Sequence, residues 1–288
     1  MISGITITHD NSPYVSRATT YTHAFTVEAD IPVGGKLRMT FPANRVVEDT
    51  TTTMACTVGG VTYPCTPTYT SGVLSVVITG ICPSAACTAP LTYSVVMSGR
   101  MKNPSTVATL TGQFLIETLS SDNFIVSQGK LDNSLVSAIQ PEPITATITR
   151  SSAFMAAVND YKLSFAIVNQ IPAGGFIRVI FPVDQVVVPT LGPSCKVDFV
   201  MTNLTCSIVF RPSGFIWVDI NSPCSTTCAA GDTIQIAFQN VQNPSSFTAN
   251  DATSSWAVYT MNSAKEYIDG QSTGLQASPD LIGKVSII

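Results

Sequence analysis

The chain has 288 residues, of which 45% are hydrophobic and 11% charged, with a formal net charge of −4. Soluble proteins ordinarily carry roughly 25% charged residues, so Ser, Thr, Asn and Gln supply most of the polar surface here. Such a surface offers no basic footprint for nucleic acid and no polybasic patch for anionic lipid, and runs such as Val73–Ile78 fall far short of the roughly 18 apolar residues of a membrane span. Neither a nucleic-acid partner nor membrane insertion is expected.

The opening, Met1 to His9, has no cationic n-region and no apolar h-region, so any export signal is expected to have been removed or to lie upstream. Tyr21, His23, Phe25 and Val27 then alternate with more polar neighbours, which predicts a half-buried antiparallel strand with His23 partly buried. Ile31-Pro-Val-Gly-Gly follows. Proline fixes φ and glycine supplies positive φ, so a hairpin is expected, returning as a strand through Arg38. Further strands are predicted at 73–79, 91–97 and 113–118, and Asn103-Pro-Ser marks another turn. Two prolines in Gln140-Pro-Glu-Pro143 predict a short, stiff connector, dividing the chain into domains 1–140 and 141–288.

Beyond the connector the pattern repeats. Tyr161, Leu163, Phe165 and Ile167 alternate as the earlier set does. Residues 171–182 match residues 31–42 at seven of twelve positions, including Arg178 against Arg38. Strands are predicted again at 215–220, 233–238 and 256–260, and Asn243-Pro-Ser repeats the turn. Short strands with turn signals and no helical period point to an all-β chain. Two tandem immunoglobulin-like β-sandwich domains, related by internal duplication, are expected, without antibody-type topology.

Eight cysteines divide equally between the copies: Cys56, Cys65, Cys82 and Cys87, then Cys195, Cys206, Cys224 and Cys228. Thiolate clusters of four also bind zinc, but neither copy has the Cys-x-x-Cys spacing common in such sites. Disulfides are the preferred reading. Local pairing, Cys56 with Cys65, Cys82 with Cys87, Cys195 with Cys206 and Cys224 with Cys228, is one of three connectivities in each copy, and the pairs are expected to staple loops. Disulfides place the protein outside the cell or at its surface.

No reaction centre stands out. His9 and His23 are the only histidines, no Gly-x-Ser-x-Gly elbow is present, and the acids lack calcium-loop spacing, so no enzyme, no metal and no cofactor is expected. The repeated Gly-Gly lacks the strand-to-helix context and Lys-Ser/Thr of a phosphate loop. Asn203-Leu-Thr is the sole Asn-x-Ser/Thr sequon with a non-proline middle residue, so Asn203 is the candidate N-glycan acceptor, while Thr50 to Thr53 could carry O-linked sugars. Arg38 and Arg178 are expected to lie outward with their stems across the sheet.

The chain finishes with a further strand pattern, Leu281, Ile282, Val285, Ile287 and Ile288. Aligned with 135–139, it is the last strand of domain two. Aligned with 144–148, it is the first strand of another domain, and its backbone is satisfied by adding to a neighbouring subunit's sheet.

The two copies with their Ile-Pro-x-Gly-Gly turns, the cysteine sets and this terminal strand together resemble the tandem immunoglobulin-like protomers of extracellular glycofibrils from freshwater microbes. The resemblance implies a non-catalytic structural subunit that bears covalent glycans and joins copies of itself into a linear homopolymer through β-strand insertion. A secreted or cell-surface adhesin, binding glycans around Trp217 or Trp256, is the alternative.

Overall fold

Along one strand of the first copy, Tyr21, His23, Phe25 and Val27 all face the interior, while Thr22, Ala24 and Thr26 lie half-buried on the other face. This period of two recurs through the computed structural model, which describes the chain apart from residues 11–12, 109, 183–193, 198–205, 211–215, 225, 244–254 and 279–288. Two units are present, Met1–Gln140 and Pro141–Ile288. The described residues include no helix long and apolar enough to cross a membrane.

The first unit contains β1 (Ile2–His9), β2 (Tyr21–Val27), β3 (Lys36–Thr40), β4 (Val47–Glu48), β5 (Ala55–Val58), β6 (Val61–Tyr63), β7 (Cys65–Thr70), β8 (Val73–Ile78), β9 (Leu91–Ser98), β10 (Met101–Lys102), β11 (Gln113–Leu119) and β12 (Ile125–Asp132). One sheet is ordered β1-β2-β9-β5-β6 and the other β12-β11-β3-β8-β7, with β4 and β10 forming a small ribbon. Residues from both sheets share one core, in which Tyr21, Phe41 and Phe114 surround His23.

The second unit contains β13 (Glu142–Pro143), β14 (Ala146–Arg150), β15 (Val158–Ala166), β16 (Phe176–Phe181), β17 (Ser194–Val197), β18 (Cys206–Phe210), β19 (Ile216–Asn221), β20 (Thr233–Gln242), β21 (Trp256–Met261), β22 (Tyr267–Leu275) and β23 (Ala277–Ser278). Its sheets are β17-β20-β15-β14-β23 and β13-β22-β21-β16-β19-β18. Trp256 is fully buried in this core, with Phe181 edge-on at 4.5 Å and Tyr161 at 5.3 Å between ring centroids. Such aromatic pairs contribute about 1 kcal/mol each beyond their area burial.

Both units are immunoglobulin-like β-sandwiches, and the chain is all-β and internally duplicated. The repeated Pro-x-Gly-Gly turn is not a hairpin. β2 pairs with β1 and β9, whereas β3 pairs with β11 and β8, so the turn is an arch from one sheet to the other. Ile31 and Ile171 anchor it by bridging Cys87 and Cys228. Each glycine has a separate reason to be there. Gly34 and Gly174 adopt φ of +71°, while a Cβ on Gly35 would lie 2.4 Å from Ile31 and one on Gly175 2.6 Å from Ile171.

Candidate assembly edge

Each domain is closed by residues that return to its opening strand or to the segment just after it. In the first, Gln140 bridges Tyr14 in parallel, donating to the Pro13 carbonyl at 2.8 Å and accepting from the Val15 amide at 3.0 Å. Just before it, the Ser137 carbonyl accepts from Arg45 Nη2 at 2.7 Å, with His9 Nε2 at 3.1 Å. In the second, β23 pairs in parallel with β14, and the Ala277 carbonyl accepts from Arg150 Nη2 at 2.7 Å. His9 lies opposite Tyr21 and Arg150 opposite Tyr161, so they hold one structural position. Ser137 and Ala277 are therefore counterparts. Arg45 is buried and also donates through Nε to Tyr21 Oη at 2.8 Å, so neutral acceptors take up its guanidinium donors.

This correspondence bears on the terminal residues. Leu281, Ile282, Val285, Ile287 and Ile288 lie outside the described residues, but their place in the chain is fixed by counting. They follow the closed end of domain two as residues 141–148 follow the closed end of domain one. In domain two those residues include β13 and the start of β14. Residues 135–139, by contrast, are not a strand: a 3₁₀ turn spans Asn133–Leu135 and an extended segment leads to Gln140.

The two domains also differ at a sheet edge. In domain two, β13 covers the outer side of β22 in parallel, Glu142 opposite Asp269 and Pro143 opposite Gly270, and the Ile144 amide donates to the Gly270 carbonyl at 3.3 Å. Gln128 is the counterpart of Gly270, since they pair with Glu117 and Tyr259 across from Arg38 and Arg178. At that place in domain one, Ile2 and Ser3 stay with Val27 and Thr26 of β2, through an irregularity at Gly4 with φ +58°. Among the described residues no strand lies on the outer side of β12. Its first residues are apolar and open: Phe124 is 74%, Ile125 55% and Val126 38% exposed, whereas Ile268, the counterpart of Val126, is 2% exposed.

On the covered edge, Asp269 accepts from the Val168 and Asn169 amides and from Asn169 Nδ2. Burial pushes its carboxyl up, with those hydrogen bonds and Thr260 acting in the opposite direction. Edge strands with free backbone groups attract further strands, and proteins usually blunt them. β22 is covered by a strand of its own chain; on β12, among the described residues, the Met1 amine donates to Ser127 Oγ at 3.3 Å and Ile2 lies against Gly129, but no strand pairs with its outer side.

The opposite side of the first sandwich is sealed covalently. The Cys56–Cys65 disulfide joins β5 of one sheet to β7 of the other, so it is an inter-sheet link and not a loop staple. Cys82–Cys87 and Cys224–Cys228 do staple loops beside the arches. Cys206 is disulfide-bonded on β18. Cys195 lies on β17, and its side chain, like Asn203, falls outside the described residues. Disulfides belong to oxidising compartments, and the protein is extracellular or at the cell surface.

The matched arginines make ion pairs that sequence reasoning missed. Arg38 Nε lies 2.5 Å from Glu117 on β11, whereas Arg178 grips Asp219 on β19 through two hydrogen bonds of 2.7 and 2.8 Å and lies over the Trp217 ring at 4.3 Å. Lys265 Nζ is 3.4 Å from the same carboxylate. Burial opposes ionisation of Asp219, but the hydrogen bonds and charges of Arg178, then Lys265, hold its carboxyl below the usual range. Of the two tryptophans foreseen for a glycan site, Trp256 is in the core, whereas Trp217 is half-buried beneath the Arg178 guanidinium. Among the described residues no group of three His, Cys, Asp or Glu side chains is placed to hold a metal.

No protein-family model and no curated protein matches the chain. Solved structures do. A serine-rich repeat adhesion glycoprotein from Streptococcus agalactiae is 9% identical over 96% of this chain and 97% of its own, with a TM-score of 0.26. The full-length major pilin of Corynebacterium diphtheriae is 9% identical over 89% of this chain and 56% of its own, with a TM-score of 0.33. The collagen adhesin of S. aureus is 10% identical over 96% and 92%, with a TM-score of 0.26.

Proposed function

We propose that this chain is a non-catalytic structural subunit of an extracellular filament, joined head to tail by β-strand addition, with residues 281–288 of one copy completing a sheet in the next. The observation that carries the reading is the matched closure of the two domains. With Ser137 and Ala277 as counterparts, residues 281–288 occupy the chain position of an opening strand, beyond a domain already closed by β23. A strand donated between copies is a heterologous contact, which propagates into an open polymer. The pattern supports a self-partner. In keeping with the glycofibril resemblance, Asn203 is the proposed glycan acceptor.

Deleting residues 281–288 tests this. Sedimentation velocity and negative-stain images should show monomers with an unchanged thermal midpoint where the full chain forms filaments. Filaments of normal length from the deleted chain would remove strand donation.

A further inference from the structure

The donor reading leaves the receiving surface open, and the two domains supply one. Resting on that reading, we infer that the outer edge of β12, from Phe124 to Gln128, receives the 279–288 segment of a second copy, in the parallel sense in which β22 receives β13.

The chain contains its own template for this contact. Glu142 and Pro143, two residues past the closed end of domain one, lie parallel along β22 at Asp269 and Gly270. The counterparts of those two positions are Ser127 and Gln128, on an edge that no described strand covers. The segment that stands to domain two as residues 141–148 stand to domain one begins near residue 281. Displaced by two residues from that offset, Pro279-Asp280-Leu281-Ile282 shares the pattern of Pro141-Glu142-Pro143-Ile144. A second copy therefore brings to β12 a sequence of the kind that β22 already binds.

The chemistry of the edges favours β12 over β6, β7 and β14. β6 has only three residues and β7 carries Pro67, both usual means of blunting an edge. The outer side of β14 is taken by β23. β12 has eight residues and no proline, and it begins beside three exposed apolar side chains. Leu281, Val285 and Ile287 alternate with Lys284 and Ser286, so one face of the incoming strand is apolar and matches that patch.

Single-cysteine variants of the full chain test the assignment. Gln128→Cys on β12 and Thr68→Cys on β7 are each mixed with Lys284→Cys, co-assembled, treated with a short bis-maleimide crosslinker and analysed by denaturing gel and mass spectrometry. All three positions are polar, and filament formation by each variant is verified by negative stain before crosslinking. A crosslink between copies at 128 and 284, several-fold above that at 68 and 284, is expected. Crosslinking at 68 in place of 128 overturns the β12 assignment and leaves strand donation standing. Failure of Lys284→Cys to link to either edge in intact filaments also overturns the assignment. Strand donation itself fails only if the chain lacking 281–288 still polymerises.

Discussion

His23 and Leu163 occupy one inward-facing position, opposite Ile7 on β1 and Ile148 on β14. The leucine is an ordinary core residue. The histidine is wholly buried among Tyr21, Phe41 and Phe114, with centroid distances of 6.4, 5.5 and 5.9 Å, and neither ring nitrogen has a hydrogen-bond partner among the described residues. Burial lowers its pKa to about 3, so it is neutral in the fold at every ordinary pH. A duplicated core thus accepts an imidazole where its twin holds an aliphatic side chain, at the cost of making one domain sensitive to acid.

The largest expected effect breaks that difference. Because the folded pKa lies below the unfolded value of about 6.5, the stability of domain one is complete above that value. It declines as pH falls toward about 3, while the unfolded chain takes up a proton that the fold refuses. By pH 4 the loss from this residue is roughly 3 kcal/mol. Urea unfolding of the His23→Leu variant and its parent at pH 7 and pH 4 should show the parent losing about that much more than the variant. Equal losses would mean that His23 is protonated in the fold or is not buried.

A second contrast lies in the arginine pairs. Asp219 and Glu117 are each 2% exposed, but Arg178 is 10% and Arg38 32% exposed. Removing Asp219 leaves a buried guanidinium without its counter-charge, so Asp219→Asn should destabilise domain two by about 3 kcal/mol. Glu117→Gln should cost domain one about 1 kcal/mol, because water screens Arg38. Thermal unfolding of both variants checks the order, and a larger loss for Glu117→Gln would contradict it. The depressed carboxyl of Asp219 contributes stability above its unfolded pKa of about 4 and loses it as pH falls through the folded value. Acid should therefore weaken domain one from near pH 6.5 and this pair of domain two only below about 4.

Much of the architecture is legible in the sequence, because alternation and turn residues are local signals. Tyr21 to Val27 and their counterparts at 161–166 are strands for the reason that their spacing states. The arch at Gly34 and Gly35 reads as a hairpin because both reverse the chain. Which sheet receives the next strand depends on β11 and β8, far away in sequence. The same limit hides the ion pairs. Arg38 and Arg178 match, yet one acid lies on the strand to one side and the other on the strand opposite, and no spacing rule links residue 38 to 117 or 178 to 219. Within the candidate site, the terminal strand is visible as a pattern. The uncovered edge at β12 is not, since it follows from Ile2 and Ser3 staying with β2 where Glu142 and Pro143 leave for β22.

Amide hydrogen exchange, followed by mass spectrometry on the same chain as monomer and as filament, tests most directly who owns residues 281–288. The account predicts fast exchange of these amides in the monomer and slow exchange in the filament. Protection of the segment in the monomer, unchanged on assembly, would mean that it completes its own domain and would contradict strand donation.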